Sequence, residues 1–386
     1  MFDSPDIHEF SMADVVAAGD FLSERRDTMS VLWAITKGCS FRCSYCSYHN
    51  DLRSTEFSSK EQLLRAARRL LQMGRPGYQI TLYGGEPTYH PHFMDLLEYL
   101  ATADSNVDLR MFTNGSRSDG FFERMMDVVG VNSLRLIFSF HPEFAKFEKF
   151  KRLLVLTAGA GMAVGISFMF VPTRAEEARR QMADLLTLRQ SVPFFLYLNY
   201  PYDACGKLGV GCSARDTAWV EQTRAEFDAI PAPAHLRTPF YTRIMSNVAL
   251  DRGGGWEVLP ARRSLQFLSA PTVPSYQGFY CCCGANVLFV EEDGTARGAV
   301  CDTSPEIGNL FRDSEIKLAQ GMQIVRCSAP GCASIENTPL PKFRSRAKAE
   351  ECLSAFRARA KGYVYHSEAC RLALPQSANV ARISVA

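Results

Sequence analysis

Short runs of β-branched and aromatic residues alternate with amphipathic stretches of helical period from Val31 to Asn199, and that alternation limits what the chain can become. The first run, Val31-Leu32-Trp33-Ala34-Ile35-Thr36, predicts a strand. Leu63, Leu64, Ala67, Leu70 and Leu71 follow at helical spacing, opened by a capping box at Ser58 and Glu61 and stopped by Gly74 and Pro76. Further strands are predicted near Tyr78 to Tyr83, Leu109 to Thr113, Leu134 to Phe140, Val164 to Val171 and Phe194 to Asn199. Helices are predicted near Phe93 to Ala101, Phe121 to Val129, Phe147 to Ala158 and Ala175 to Leu186. Six such repeats give an α/β fold, a parallel sheet with helices outside. An open doubly wound sheet and a partial barrel both satisfy the pattern, and both place their chemistry at the carboxyl ends of the strands.

Three polar loops meet that expectation. Cys39-Ser-Phe-Arg-Cys43-Ser-Tyr-Cys46 follows the first strand, Gly84-Gly85-Glu86-Pro87 the second, and Thr113-Asn114-Gly115 closes the third. Three thiolates on so short a loop can surround a cubic iron–sulfur cluster, which usually takes four cysteines. Three leave one iron open, as a metal site that binds a small molecule requires. Zinc with His49 as fourth ligand, or cysteines packed as small apolar groups, also fits these residues taken alone.

The chain has 13 cysteines; its first residues lead one to expect no export signal, so disulfides would normally be reduced, and metal thiolates are the leading explanation. Lysine plus arginine (43) nearly balances aspartate plus glutamate (41), so no field of one sign draws nucleic acid or an anionic membrane. No stretch approaches the roughly 18 apolar residues of a membrane span. A cytoplasmic protein with no nucleic-acid or membrane partner is expected.

After about residue 205 the rhythm fades. The divisions expected are an N-terminal segment 1–30, a core 31–204, a loop-rich connector 205–275, a cysteine-rich α+β region 276–340 and a helical tail 341–386. In the fourth, Cys281-Cys282-Cys283 leads into Val287-Leu288-Phe289-Val290, a turn at Asp293-Gly294 that reads as a hairpin, Cys301, and the pair Cys327 and Cys332. Cys283, Cys301, Cys327 and Cys332 are the preferred four-thiolate cage, with Cys281 and Cys282 as substitutes; iron–sulfur and zinc are alike in spacing. Cys205 and Cys212 follow the last core strand, where a substrate-facing residue or an extra ligand could sit, although unattached loop cysteines are commoner; Cys352 and Cys370 are given no role.

Cys39-x3-Cys43-x2-Cys46, with Tyr45 before the third cysteine, resembles the signature of the radical S-adenosylmethionine (SAM) superfamily. Gly84-Gly85-Glu86-Pro87 resembles that family's motif for the SAM amino group. The resemblance implies a partial (βα)6 TIM-like barrel and a [4Fe–4S] cluster on Cys39, Cys43 and Cys46. It further implies SAM on the open iron, reductive cleavage to a 5′-deoxyadenosyl radical, and an external electron donor such as flavodoxin or ferredoxin. Ser139, at the end of the fourth strand, stands where relatives place a polar residue on SAM; bonding to nearby backbone is the blander role. Gly165-Ile166-Ser167 matches the adenine-packing segment only loosely. Asn114 and Asn199 lie at strand ends where they could bind cofactor or substrate, with turn capping the simpler role for Asn114. Cys283, Gly294, Cys301 and the later Gly308-Asn309 resemble the SPASM and twitch extensions, which implies an auxiliary iron–sulfur cluster. The function expected is hydrogen abstraction from a small molecule or peptide. The alternative is a non-catalytic iron–sulfur or zinc protein on the same fold.

Overall fold

In a computed structural model the described residues are 12–21, 28–46, 56–103, 106–130, 134–199, 211–230, 247–251, 255–259, 275–301, 303–313, 321–329, 332 and 337–361. His49, Cys205 and Cys370 lie outside them.

The chain enters through β1 (Val15–Gly19) and β2 (Thr28–Thr36), then α1 (Lys60–Leu71) and β3 (Gly77–Gly84). The alternation continues through α2 (Phe93–Ala101), β4 (Val107–Thr113), α3 (Asp119–Val129), β5 (Leu134–Phe140), α4 (Phe147–Gly159), β6 (Ala163–Met169), α5 (Ala175–Arg189) and β7 (Phe195–Asn199). Within the connector expected to be loop-rich stand α6 (Ala214–Ala229), β8 (Asn247–Asp251) and β9 (Trp256–Val258). Last come β10 (Tyr280–Cys283), β11 (Val287–Val290), β12 (Thr295–Arg297), β13 (Glu306–Asn309), β14 (Gln323–Arg326), β15 (Lys342–Phe343) and α7 (Arg346–Lys361).

The helix α1 corrects its expected cap by one residue. Ser59 accepts from the Gln62 main chain and Gln62 reciprocates, so the box is Ser59 and Gln62 rather than Ser58 and Glu61. The Ser58 hydroxyl is engaged elsewhere, 3.2 Å from His90 Nε2.

Two sheets result. One runs in the order β13-β12-β11-β2-β3-β4-β5-β6-β7, with β11 and β2 to β7 all parallel; the described strands do not close it into a barrel. Its outward residues, among them Val31, Trp33, Ile80, Leu82, Met111, Phe138 and Phe168, enter the main core beneath the helices. The residues between them face inward and many are polar: Thr81, Arg110, Arg135, Ser139, Ser167 and Asn199. An inner face built this way belongs to a curved sheet around a polar interior, so the architecture is the α/β partial TIM-like barrel. The second sheet, β14-β10-β15-β1-β8-β9, is antiparallel and draws its strands from the N-terminal segment, the connector and the cysteine-rich region.

Candidate active site and auxiliary thiol cage

Strand β2 ends at Thr36, whose hydroxyl accepts from the Gly38 main chain and turns the chain into the cysteine loop. Cys43 is buried there, with Cys39 and Cys46 half-buried; all three are free thiols. They lie within electrostatic reach of one another. Burial pushes the Cys43 thiol up to about 12, against the lowering effect of its hydrogen bond with Tyr45, and raises Cys39 as well. Cys39 and Cys43 so placed favour the neutral form until a cation joins them, which is the condition an iron cluster relieves.

The loop is clamped from the segment after β5. Glu143 accepts from the Ser44 main chain at 2.7 Å and from its hydroxyl, and Tyr45 Oη lies 3.1 Å from His141 Nδ1 with the rings stacked. Phe41 stacks on Phe144.

Gly84 and Gly85 fit against that loop so closely that side chains are excluded. The Gly85 main chain donates to Thr36 O at 2.7 Å and the Glu86 main chain to Gly38 O at 2.8 Å. A Cβ on Gly85 would stand 2.3 Å from Gly38 O, and one on Gly84, at φ +132°, 2.3 Å from Thr36 O. The close approach here is to the cysteine loop itself.

Glu86 is buried at the junction. Its Oε1 accepts from the Thr88 hydroxyl (2.6 Å), the Thr88 main chain (3.2 Å) and the Thr113 hydroxyl (2.7 Å), and its Oε2 from the Asn114 main chain (2.6 Å). Burial raises its carboxyl above the usual range and these donors work against the rise. Oε1 is crowded, whereas Oε2 takes one donor and keeps acceptor capacity for an ammonium. Pro87 starts the short 3-10 turn Pro87–Tyr89 that holds Thr88 in place.

Asn114 joins the two motifs. Its Oδ1 accepts from Ser116, as turn capping requires, while Nδ2 points at Cys39 Sγ (3.6 Å) and Ser40 Oγ (3.3 Å). Thr88, the bond of Thr113 to Glu86 and the cysteine-facing side of Asn114 were not read from the sequence, although Thr113-Asn114-Gly115 was placed on the same rim. The Thr-Asn-Gly at a strand end was the available signal. Ser139 is half-buried on the inner face, opposite Ser167 across the β5–β6 pairing, and Ser167 accepts from Asn199 at 2.6 Å. Ser139 therefore lines the interior one strand beyond Thr113, apart from the Glu86 network.

The second group of cysteines gathers on one face of the second sheet. Cys281 and Cys283, alternate residues of β10, interact with Cys327; Cys283 also interacts with Cys301, and Cys301 with Cys327 and Cys332. Cys282 points the other way, toward the Cys352 thiol and the Ala349 carbonyl on α7, so of the two substitutes only Cys281 faces the cage. The Cys281 thiol donates to Cys327 Sγ, which holds Cys327 down at about 6 and Cys281 far up. Gly294 tightens the β11–β12 hairpin at φ +84°, and a Cβ there would meet the Phe311 ring at 2.5 Å.

Among the described residues no three His, Cys, Asp or Glu side chains converge tightly enough for a single metal ion. A cubic cluster asks for a wider set, since each thiolate ligates a different iron. The donor chemistry at the loop, three thiols beside a buried carboxylate, fits such a cluster with SAM.

Residues 33–186 match the family described as Radical SAM superfamily. GTP 3′,8-cyclase of Actinobacillus succinogenes is 33% identical over 105 residues, 26% of this chain and 31% of that protein. GTP 3′,8-cyclase of Rhodopirellula baltica is 34% identical over 109 residues, 27% and 29% of the two chains. The chain thus spans about a third (31% and 29%) of the length of these curated relatives. Among solved structures, anSMEcpe with bound AdoMet and the Cp18Cys peptide aligns over 87% of this chain and 98% of its own, at 15% identity and a TM-score of 0.49. SuiB of Streptococcus suis, bound to precursor peptide SuiA, aligns over 77% and 65%, at 11% identity and a TM-score of 0.49. No described helix is long and apolar enough to cross a membrane.

Proposed function

We propose that the chain is a radical SAM enzyme with its cluster on Cys39, Cys43 and Cys46: residues 33–186 match the Radical SAM superfamily, a family that works with a [4Fe–4S] cluster and SAM. The cluster, when bound, supplies one electron to SAM, which parts into methionine and a 5′-deoxyadenosyl radical that takes a hydrogen atom from substrate. The observation that carries this reading is the docking of Gly85 and Glu86 on the cysteine loop through two main-chain hydrogen bonds. That contact sets a buried carboxylate with spare acceptor capacity beside the three thiols. In this reading Glu86 Oε2 takes the SAM ammonium, Gly84 and Gly85 hold the two loops in register, and Asn114 orients Cys39. Ser139, with Ser167 and Asn199, offers hydroxyl and amide groups to the interior, where SAM and substrate are enclosed.

The thiols of Cys283, Cys301, Cys327 and Cys332, with Cys281 as the alternative fourth, hold an auxiliary iron–sulfur cluster in this proposal. Their mutual proximity on one sheet face supports it. The substrate is a small molecule or a peptide, and the electron comes from an external low-potential donor. The test is 5′-deoxyadenosine formation by the anaerobically reconstituted chain with SAM and a strong reductant, against Cys43→Ala. Product from the parent and none from the variant is expected. A loaded parent that forms none with candidate substrates would leave the non-catalytic iron–sulfur reading in its place.

A further inference from the structure

The antiparallel sheet buries a lysine among cysteines. Lys342 lies on β15, opposite Cys281 of β10 on one side and Ala18 of β1 on the other, and is 1% exposed. Its Nζ donates to the carbonyls of Asn337 (2.6 Å) and Leu340 (2.8 Å) and stands 5.1 Å from the centroid of the buried Tyr276 ring. Among the described residues it makes no ion pair. Removing an ammonium from water costs several kcal/mol, and carbonyl and ring contacts offset only part of that. A buried cation of this kind implies negative charge close by.

The cage is where that charge would form. Residues paired across neighbouring strands project to the same face, so Lys342 shares its side of the sheet with Cys281 and, two residues on, Cys283. Its charge acts on Cys281, Cys283 and Cys327, in each case favouring the thiolate. Arg344, the next cation along the chain, turns instead to the Phe279 ring and the carbonyls of Val15 and Met12.

We infer that Lys342 is the counter-charge of an iron–sulfur cluster held by the auxiliary thiols, a positioning and tuning residue rather than a ligand. This rests on the auxiliary-cluster reading above, and it holds whichever four of the five sulfurs bind. Thiolates make such a cluster net anionic, and an added electron deepens that charge. A fixed ammonium in a low-dielectric setting therefore stabilises the reduced form more than the oxidised one and raises the reduction potential. The cluster in turn supplies the anion that the buried lysine lacks.

The experiment uses the full chain with Cys39, Cys43 and Cys46 all changed to alanine, so that only the auxiliary site can take iron. Iron content after anaerobic reconstitution and the midpoint of a dithionite titration followed by electron paramagnetic resonance are compared for this chain and its Lys342→Met and Lys342→Arg forms. Lys342→Met is expected to lower the midpoint by at least the equivalent of a tenfold change in the reduction equilibrium, about 59 mV for one electron, and Lys342→Arg to restore most of it. If Lys342→Met folds but loses its iron while Lys342→Arg keeps it, the need for the charge is shown another way. An unchanged midpoint with full iron would make Lys342 structural and overturn the inference. If the parent of the series binds no iron while the wild-type loop does, the auxiliary-cluster reading itself has failed, and the proposal for Cys39, Cys43 and Cys46 stands apart from it.

Discussion

At the scale of single residues, the site depends on main-chain contact as much as on side chains. Gly85 is the sharpest case, because a methyl group there would lie 2.3 Å from Gly38 O and 2.5 Å from Lys37 O, both backbone atoms that no rotamer change can move. Gly85→Ala is therefore expected to push the Gly84 to Pro87 loop off the cysteine loop and break the bonds to Thr36 O and Gly38 O. With about 1–3 kcal/mol at stake for each buried group left unmatched, the local loss outweighs any gain in helix or strand propensity. Iron bound at the loop should fall several-fold after anaerobic reconstitution of a chain with Cys283 and Cys301 changed to alanine, while the melting transition stays cooperative. Unchanged loop iron would mean that the two loops are not mechanically tied. Glu86 illustrates the opposite arrangement, a buried carboxylate that three donor residues, Thr88, Thr113 and Asn114, fix in one orientation.

At the scale of elements, the segment from Glu86 to His92 ties the site to the start of α1. His90 is buried; its Nδ1 accepts from the His92 main chain at 3.1 Å, which leaves Nε2 to carry the proton toward Ser58 Oγ. Burial holds the imidazole down at about 4, with His92 adding to the effect. Between about 4 and the ordinary 6.5 the unfolded chain binds a proton that the folded chain does not, so this group's contribution to stability falls as pH drops through that window. Melting temperature measured from pH 7 to 4 should decline less steeply for His90→Gln than for the parent. Parallel curves would remove His90 as a source of acid sensitivity. The same contact explains where sequence reading slipped, since Ser58 and Ser59 are equal as caps until His90 claims the Ser58 hydroxyl. The strands and helices of the barrel were legible because their periods of two and 3.6 survive burial on one face. The strands β1, β8 and β9 were not, because a sheet assembled from distant segments leaves no local repeat. At the cage, strand alternation already separates Cys282 from Cys281 and Cys283, whereas Lys342 is an ordinary lysine until the fold surrounds it.

For the whole molecule, β2 is the axis. The cysteine loop leaves its upper end after Thr36, and at its lower end the Ser30 main chain donates to Asn286 O, three residues beyond Cys283. Six residues of strand separate these levels, about 20 Å at the usual rise. The β11–β12 hairpin spans the same length, and at its turn Glu292 meets Lys37 beside the cysteines at 2.6 Å. Arg75 donates to Ala285 O (2.8 Å), Arg69 to Leu310 O (2.8 Å) and Arg65 to Phe311 O (3.2 Å), binding the core helices and loops to the cysteine-rich region. Removal of residues 276–386 would strip β11 from β2 and leave an apolar strand of the main core as an open edge. It would also take β15 from β1. Three arginine bonds at about 1.5 kcal/mol each are already of the order of the roughly 5–15 kcal/mol that holds a domain folded, before any lost apolar burial is counted. A chain ending at residue 275 is therefore expected to aggregate or to lack a cooperative transition by circular dichroism and size-exclusion chromatography. A monomeric, cooperatively melting product would mean that the barrel stands alone, and the cysteine-rich region would then be an attachment to it rather than one wall of the same sheet.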